Sequence, residues 1–186
     1  MDERTAWECF CRTGSVEAYL QYSRLRRRPS GERKRDGLVI REQTVGESDR
    51  LVTLLTRSAG LLRGFARQAK TIRSAKASGT SLLSYSQFSV FKGRERVIID
   101  EARPKESFFG LREDISRLAL AQYFCELAGV LTPEESPAED YLRLMLNGLY
   151  FLSKNTRPPL LLKLVVEMRM MSFSGYMPDL LYCQGC

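Results

Sequence analysis

Between residues 60 and 96 the charged side chains are almost all cations: Arg63, Arg67, Lys70, Arg73, Lys76, Lys92, Arg94 and Arg96 stand against the single acid Glu95. Arg41 and Arg50, on the stretches just before, extend the set. Cations gathered on one surface neutralise successive phosphates and release counterions, which gives salt-sensitive, sequence-indifferent binding of a nucleic acid. Tyr85, Phe88 and Phe91 interleave with these residues and could offer faces for base stacking. Core packing is the competing role for the aromatics, and at least one of Phe88 and Phe91 is expected inside. A merely solvated face is the competing role for the charges. So one-sided a bias within one short segment favours a polyanion partner.

The second candidate chemistry is Cys183-Gln184-Gly185-Cys186. Two thiolates at this spacing reach one zinc ion at about 2.3 Å each, which makes half of a tetrahedral site. Cys9 and Cys11 could in principle complete a four-sulfur set with that pair, and Cys125 is expected to face a helical core. A thioredoxin-like redox role needs a strand–helix setting that residues 175–182 do not offer. The sequence contains no histidine, so neither a Ser-His-Asp nor a Cys-His pair exists. Neither a G-x-x-x-x-G-K-[ST] nor a G-x-G-x-x-G phosphate-binding run occurs. The acids Glu113-Asp114, Glu134-Glu135 and Glu139-Asp140 sit where helices begin and complement the helix dipole there. No enzyme is expected.

The 186 residues carry a net charge of +7, with hydrophobic residues at 44% and charged residues at 27%, the balance of a globular protein. The positive excess lies in residues 1–107, and residues 108–186 are mildly acidic, which suggests a polyanion partner for the first part and other work for the second. The longest apolar run, Leu160 to Val166, is broken by Lys163, and the opening residues lack the shape of a signal peptide. Five unevenly scattered cysteines do not make a secreted disulfide framework, so a cytoplasmic, nucleoid-associated protein is expected, without a membrane.

The elements that must position these residues divide into four segments. Residues 1–35 read as a basic, disordered extension, with Val16 to Leu25 able to form a short helix before Arg26-Arg27-Arg28-Pro29. Residues 36–103 read as five strands: one starting at Leu38-Val39-Ile40, then Arg50 to Thr56, Leu61 to Arg67, Leu82 to Lys92 and Arg94 to Asp100, with a polar loop from Ala69 to Thr80. Five short strands in this span suit a closed OB-type barrel, and Gly64 in mid-strand suits its coiling. Residues 104–177 read as a small helical domain. Its first helix spans about Leu111 to Leu131, with Leu120, Phe124, Leu127 and Leu131 inward. Ser136-Pro137-Ala138-Glu139 is a capping box for the second, whose apolar face is Leu142, Met145, Leu146 and Leu149. The third follows Pro158-Pro159, with Leu161, Leu164, Val165, Met168 and Met171 inward and Gly175 as its stop. Residues 178–186 hold the cysteine pair. The fold class is α+β: an N-terminal OB-type five-stranded barrel, then helices, then a truncated zinc-knuckle end.

The order of parts resembles a known family. Leu38-Val39-Ile40-Arg41, Gly46-Glu47-Ser48-Asp49-Arg50-Leu51-Val52-Thr53-Leu54-Leu55-Thr56 and Gly60-Leu61-Leu62-Arg63-Gly64-Phe65-Ala66-Arg67 are similar to the opening of the bacterial DNA repair protein RecO family. Glu106-Ser107-Phe108-Phe109-Gly110-Leu111-Arg112 and Gly175-Tyr176-Met177-Pro178-Asp179-Leu180, leading to Cys183 and Cys186, follow in the same order. The resemblance covers about residues 37–186. It implies an OB fold, a helical domain and a four-cysteine zinc module. It also implies binding of single- and double-stranded DNA, strand annealing, and partnership with RecR and with the C-terminal tail of the single-stranded DNA-binding protein, together loading the recombinase RecA. Residues 1–35 and the lack of a second cysteine pair depart from the family pattern, so only Cys183 and Cys186 remain as expected zinc ligands. The leading expectation is a non-enzymatic recombination mediator. An RNA-binding OB module and a protein-interaction adaptor working through the helices are the alternatives.

Overall fold

The computed structural model describes residues 33–70, 76–93 and 96–177, the Lys92 side chain excepted, with residues 5, 8, 9, 11, 12, 15–18 and 20 of the opening segment. It divides into two compact units, Met1–Arg33 and Lys34–Cys186. In the first, residues 5, 8, 9, 11, 12, 16–18 and 20 are helical and Ala18 is buried.

The strands form a closed barrel of β1 (Arg33–Val45), β2 (Asp49–Thr56), β3 (Gly60–Ala66), β4 (Tyr85–Lys92) and β5 (Val97–Glu106), ordered β1-β2-β3-β5-β4. The β3–β5 pair is parallel and the other ladders are antiparallel. Val39 closes the ring: its N–H donates to the Ser84 carbonyl at 2.9 Å and its carbonyl accepts from Leu83 N–H at 3.0 Å. Closure leaves no sheet edge to pair with another chain. Strand alternation fills the interior with Val39, Val52, Leu54, Ala66, Phe88, Val90, Ile99 and Ala102. Gly64 faces inward too, where a Cβ would stand 2.7 Å from Ile99 Cδ1. The polar loop before β4 contains a short helix, α1 (Lys76–Gly79), and β5 runs past Pro104 to Glu106.

After a 3-10 turn at Phe109–Glu113 come α2 (Ile115–Leu131), α3 (Glu139–Lys154) and α4 (Pro159–Phe173). The first long helix starts at Ile115 rather than Leu111, because Asp114 is extended and caps it: its Oδ1 accepts from Ser116 N–H at 2.8 Å and Arg117 N–H at 3.3 Å. The expected capping box does not form. Ala138 is the N-cap of α3 and makes no side-chain cap bond, because the preceding segment is bound to the β2–β3 turn. There Leu61 N–H donates to Pro133 O at 3.2 Å and Ala138 N–H to Arg57 O at 3.0 Å. Gly60, at φ +57°, lies so close to Pro133 that a Cβ would overlap its carbonyl oxygen.

The helices cover one outer face of the barrel. Leu38, Leu55 and Leu61 from the strands share a core with Phe124, Cys125, Ala128, Leu142, Met145, Leu149, Val166 and Met170. The α4 helix is turned from its expected face, and α2 only slightly, since Phe124 is buried and Leu120, Leu127 and Leu131 pack against the core. In α2 the buried positions are Ala121, Phe124, Cys125 and Ala128, while Leu120, Leu127 and Leu131 are half-buried. In α4 they are Leu162, Val166 and Met170, while Leu161, Leu164 and Val165 are exposed. Both helices carry apolar residues on most sides, so periodicity gives little direction. Close packing chose the small residues of α2 and one stripe of α4. Among the described residues no helix is long and apolar enough to cross a membrane.

Candidate nucleic-acid interface

The outer face left uncovered by the helices is organised by register. Cross-strand partners point to the same side of a sheet. Arg41 on β1 pairs with Thr53 on β2, and Thr53 with Arg63 on β3. Arg96 sits one residue before Val97, whose partner is Gly64, and so stands beside Arg63. Three exposed guanidinium groups therefore cross the barrel in one row. The next row along the strands is Gln43, Leu51, Phe65, Ile98 and Phe91, each paired with the next. Its last four members are half-buried, so hydrocarbon and aromatic surface remains open to solvent beside the arginines. Arg96 spans both rows, its guanidinium carbon 5.5 Å from the centre of the Phe65 ring.

Other cations fall in different places. Arg67 and Lys70 are exposed on the turn after β3, which is tied to the β1–β2 turn by Lys70 N–H to Ser48 O at 3.0 Å and Gln68 N–H to Asp49 Oδ1 at 2.8 Å. Lys76 opens α1 with Asp100 at 4.0 Å. Lys92 lies on β4, with its side chain outside the described residues, as are Arg73 and Arg94. Arg50 stands apart from the arginines of the open face. Its side chain is only 18% exposed and lies 3.4 Å from Glu42. It donates to the Ala77 carbonyl at 3.1 Å and to the hydroxyls of Thr80 and Ser81 at 3.4 and 3.3 Å. All of these contacts engage Nη1 and hold the side chain against the α1 loop. Arg50 is a strut between β2 and the α1 loop.

The aromatics sort the same way. Phe88 is wholly buried inside the barrel, and Phe91 is on the open row. Tyr85 packs against the helical core, with Lys105 Nζ 5.8 Å from its ring centre. Phe65 and Leu51 were missed in the sequence. The signal was there: once the turn at residues 57–59 pairs Thr56 with Gly60, the hairpin register places Leu51 opposite Phe65.

At its β1–β2 end the open face runs into a cleft of about 690 Å³ walled by α2. Its floor includes Leu51 and Thr53, its rims Arg41, Gln43 and Arg63, and its wall Gln122, Glu126, Gly129 and Val130. Arg63 meets Glu134 at 3.5 Å, with both side chains exposed. The Glu42 carboxylate accepts from Leu82 N–H at 3.1 Å as well as facing Arg50.

Cys183 and Cys186 lie outside the described residues, and among the described residues no group of three or more potential ligands gathers. Cys125, the one cysteine between residues 33 and 177, is committed to the core, where burial pushes its thiol up to about 12. A Cys183–Cys186 pair supplies half of a tetrahedral thiolate set.

Comparison with known proteins agrees with this architecture. Residues 31–108 match the family model described as recombination protein O N terminal, and residues 112–186 that described as recombination protein O C terminal. The DNA repair protein RecO of Acetivibrio thermocellus is 37% identical over 153 residues, covering 82% of this chain and 61% of the relative. Those of Symbiobacterium thermophilum and Heliobacterium modesticaldum are each 36% identical, over 151 and 149 residues, covering 81% and 80% of this chain and 60% and 54% of the relatives. The chain thus spans roughly three fifths of the length of these relatives.

Proposed function

The chain belongs to the RecO family of DNA repair proteins, and from that premise we propose that its barrel holds DNA across the open outer face. Bases lie on Leu51, Phe65, Ile98 and Phe91, and phosphates lie along Arg41, Arg63 and Arg96. The observation that carries this reading is the adjacency of the two rows. A base offers a flat, uncharged π face that is stabilised by stacking on apolar and aromatic side chains, whatever its identity. A phosphate is stabilised by the guanidinium fork. The two needs are met side by side in the same direction across the strands, as a polymer of alternating charged and flat units requires. Arg67 and Lys70 widen the cationic surface.

The reading assigns no covalent chemistry to the chain. For the whole-length protein it extends to strand annealing, to partnership with RecR and with the tail of the single-stranded DNA-binding protein, and to support of the recombinase. It is tested by fluorescence anisotropy with a labelled oligodeoxythymidine at about 50 and about 200 mM salt, over which log affinity falls linearly with log salt when phosphates are contacted. Tight binding at low salt that weakens steeply is the expected result. Absence of binding at low salt, or indifference to salt, overturns it.

A further inference from the structure

We propose that the cleft between the barrel and α2 seats unpaired bases, which makes α2 the element that prefers single-stranded over duplex DNA. The inference rests on the DNA reading above and deepens it. Continuity is the first argument, since Gln43 and Leu51 belong to the apolar row and also line the cleft. A strand lying on that row therefore runs into the cleft at its β1–β2 end.

The lining chemistry is the second. Of the charged side chains lining the cleft, Arg63 faces Glu134 and Glu42 faces Arg50, while Arg41 stands on the rim and Glu126 on the wall. Glu126 repels phosphate from the α2 wall, while Arg41 and Arg63 draw it to the rims. The remaining surface is the apolar floor of Leu51 and Leu61, the amides of Gln43 and Gln122, and the Thr53 hydroxyl. Neutral hydrogen-bonding groups over an apolar floor suit an uncharged heteroaromatic ring. The cleft volume, about 690 Å³, lies within the range of roughly 300–1,000 Å³ that holds small ligands. In a duplex the faces of a base are stacked and its edge is paired, so a walled cleft can admit it only after it leaves the helix. The space beside Gly129 is open: a Cβ there would meet only Ile40 Cδ1 within 4 Å, at the ordinary contact distance of 3.8 Å.

The test uses the full chain carrying Gly129→Leu, which fills the cleft from an exposed helical position and improves helix propensity, so the fold is retained. Gln122→Leu, which keeps the bulk and removes the amide, is the second variant. Labelled oligodeoxythymidine and a hairpin duplex of equal charge are the probes. The expected result is a loss of single-strand affinity of about tenfold for Gly129→Leu, the scale of one lost base contact, with duplex affinity unchanged. Equal losses on both probes, or no loss on the single strand while Arg63→Gln and Arg96→Gln still weaken binding, overturns the cleft proposal and leaves the DNA reading standing. Indifference of both probes to the arginine variants as well sinks the DNA reading itself.

Discussion

Replacing Arg41, Arg63 and Arg96 together by Gln removes the cationic row while keeping polar side chains of similar reach. Each phosphate neutralised on a single strand contributes about 0.7 to the slope of log affinity against log salt, so three arginines contribute about 2. Across a fourfold rise in salt, the triple variant should lose affinity roughly twentyfold less steeply than the parent chain. Arg63 and Glu134 are 72% and 62% exposed, and such a surface pair is worth no more than about 1 kcal/mol, so a phosphate displaces it readily. Arg96 lies over the Phe65 ring and keeps the edges of its guanidinium for hydrogen bonds. All three side chains are exposed, so the melting temperature should barely move. The assay is an anisotropy titration at four or more salt concentrations, with Arg50→Gln as the contrast. Arg50→Gln breaks the strut to Ala77, Thr80 and Ser81 and should lower stability without changing the slope. An unchanged slope in the triple variant, or an equal flattening in Arg50→Gln, refutes the reasoning.

Three further outcomes follow from the fold. Gly60→Ala drives a Cβ into the Pro133 carbonyl at a positive φ and should cost about 2 kcal/mol or more in a denaturant melt, loosening the helices from the barrel; a change within experimental error contradicts the close approach. Asp114 has its carboxyl pKa lowered by hydrogen bonds from the N–H groups of Ser116 and Arg117. Its cap therefore stabilises α2 above the usual carboxylate range and is lost as pH falls through the lowered value. Asp114→Ala should reduce the melting temperature at neutral pH and leave less to lose in acid, measured by circular dichroism. Cys125, with its thiol pushed up to about 12 by burial, should resist iodoacetamide in the native chain while exposed Cys11 is alkylated, as mapped by mass spectrometry. Equal rates would place Cys125 outside the core.

How far the sequence reached depended on whether local pattern was enough. Alternation in Arg50–Thr56 and Leu61–Arg67 around a short turn fixes two strands and their register, and the apolar stripe Leu142, Met145 and Leu149 fixes the buried face of α3. Where apolar residues lie on most sides of a helix, as in α4, where Lys163, Glu167 and Arg169 alone interrupt Leu160 to Met171, periodicity gives little direction, and contact with its neighbours selected Leu162, Val166 and Met170. The capping box at Ser136 failed for a related reason: a local preference yielded to backbone bonds with the distant β2–β3 turn.

Charge was visible in the chain as a count, and its use was not. Linear sequence put Arg50 and Arg63 in one class, because both are guanidinium groups on adjacent strands. Strand register separated them, pairing Arg50 with Ala66 on the inward side, where it reaches the α1 loop, and leaving Arg63 in an outward row with Arg41 and Arg96. The residue types and the strand-then-helix order were determined by sequence alone, since propensity and periodicity act over a few neighbours. Which side chains share a face was decided by tertiary structure, since pairing across strands joins residues far apart in the chain.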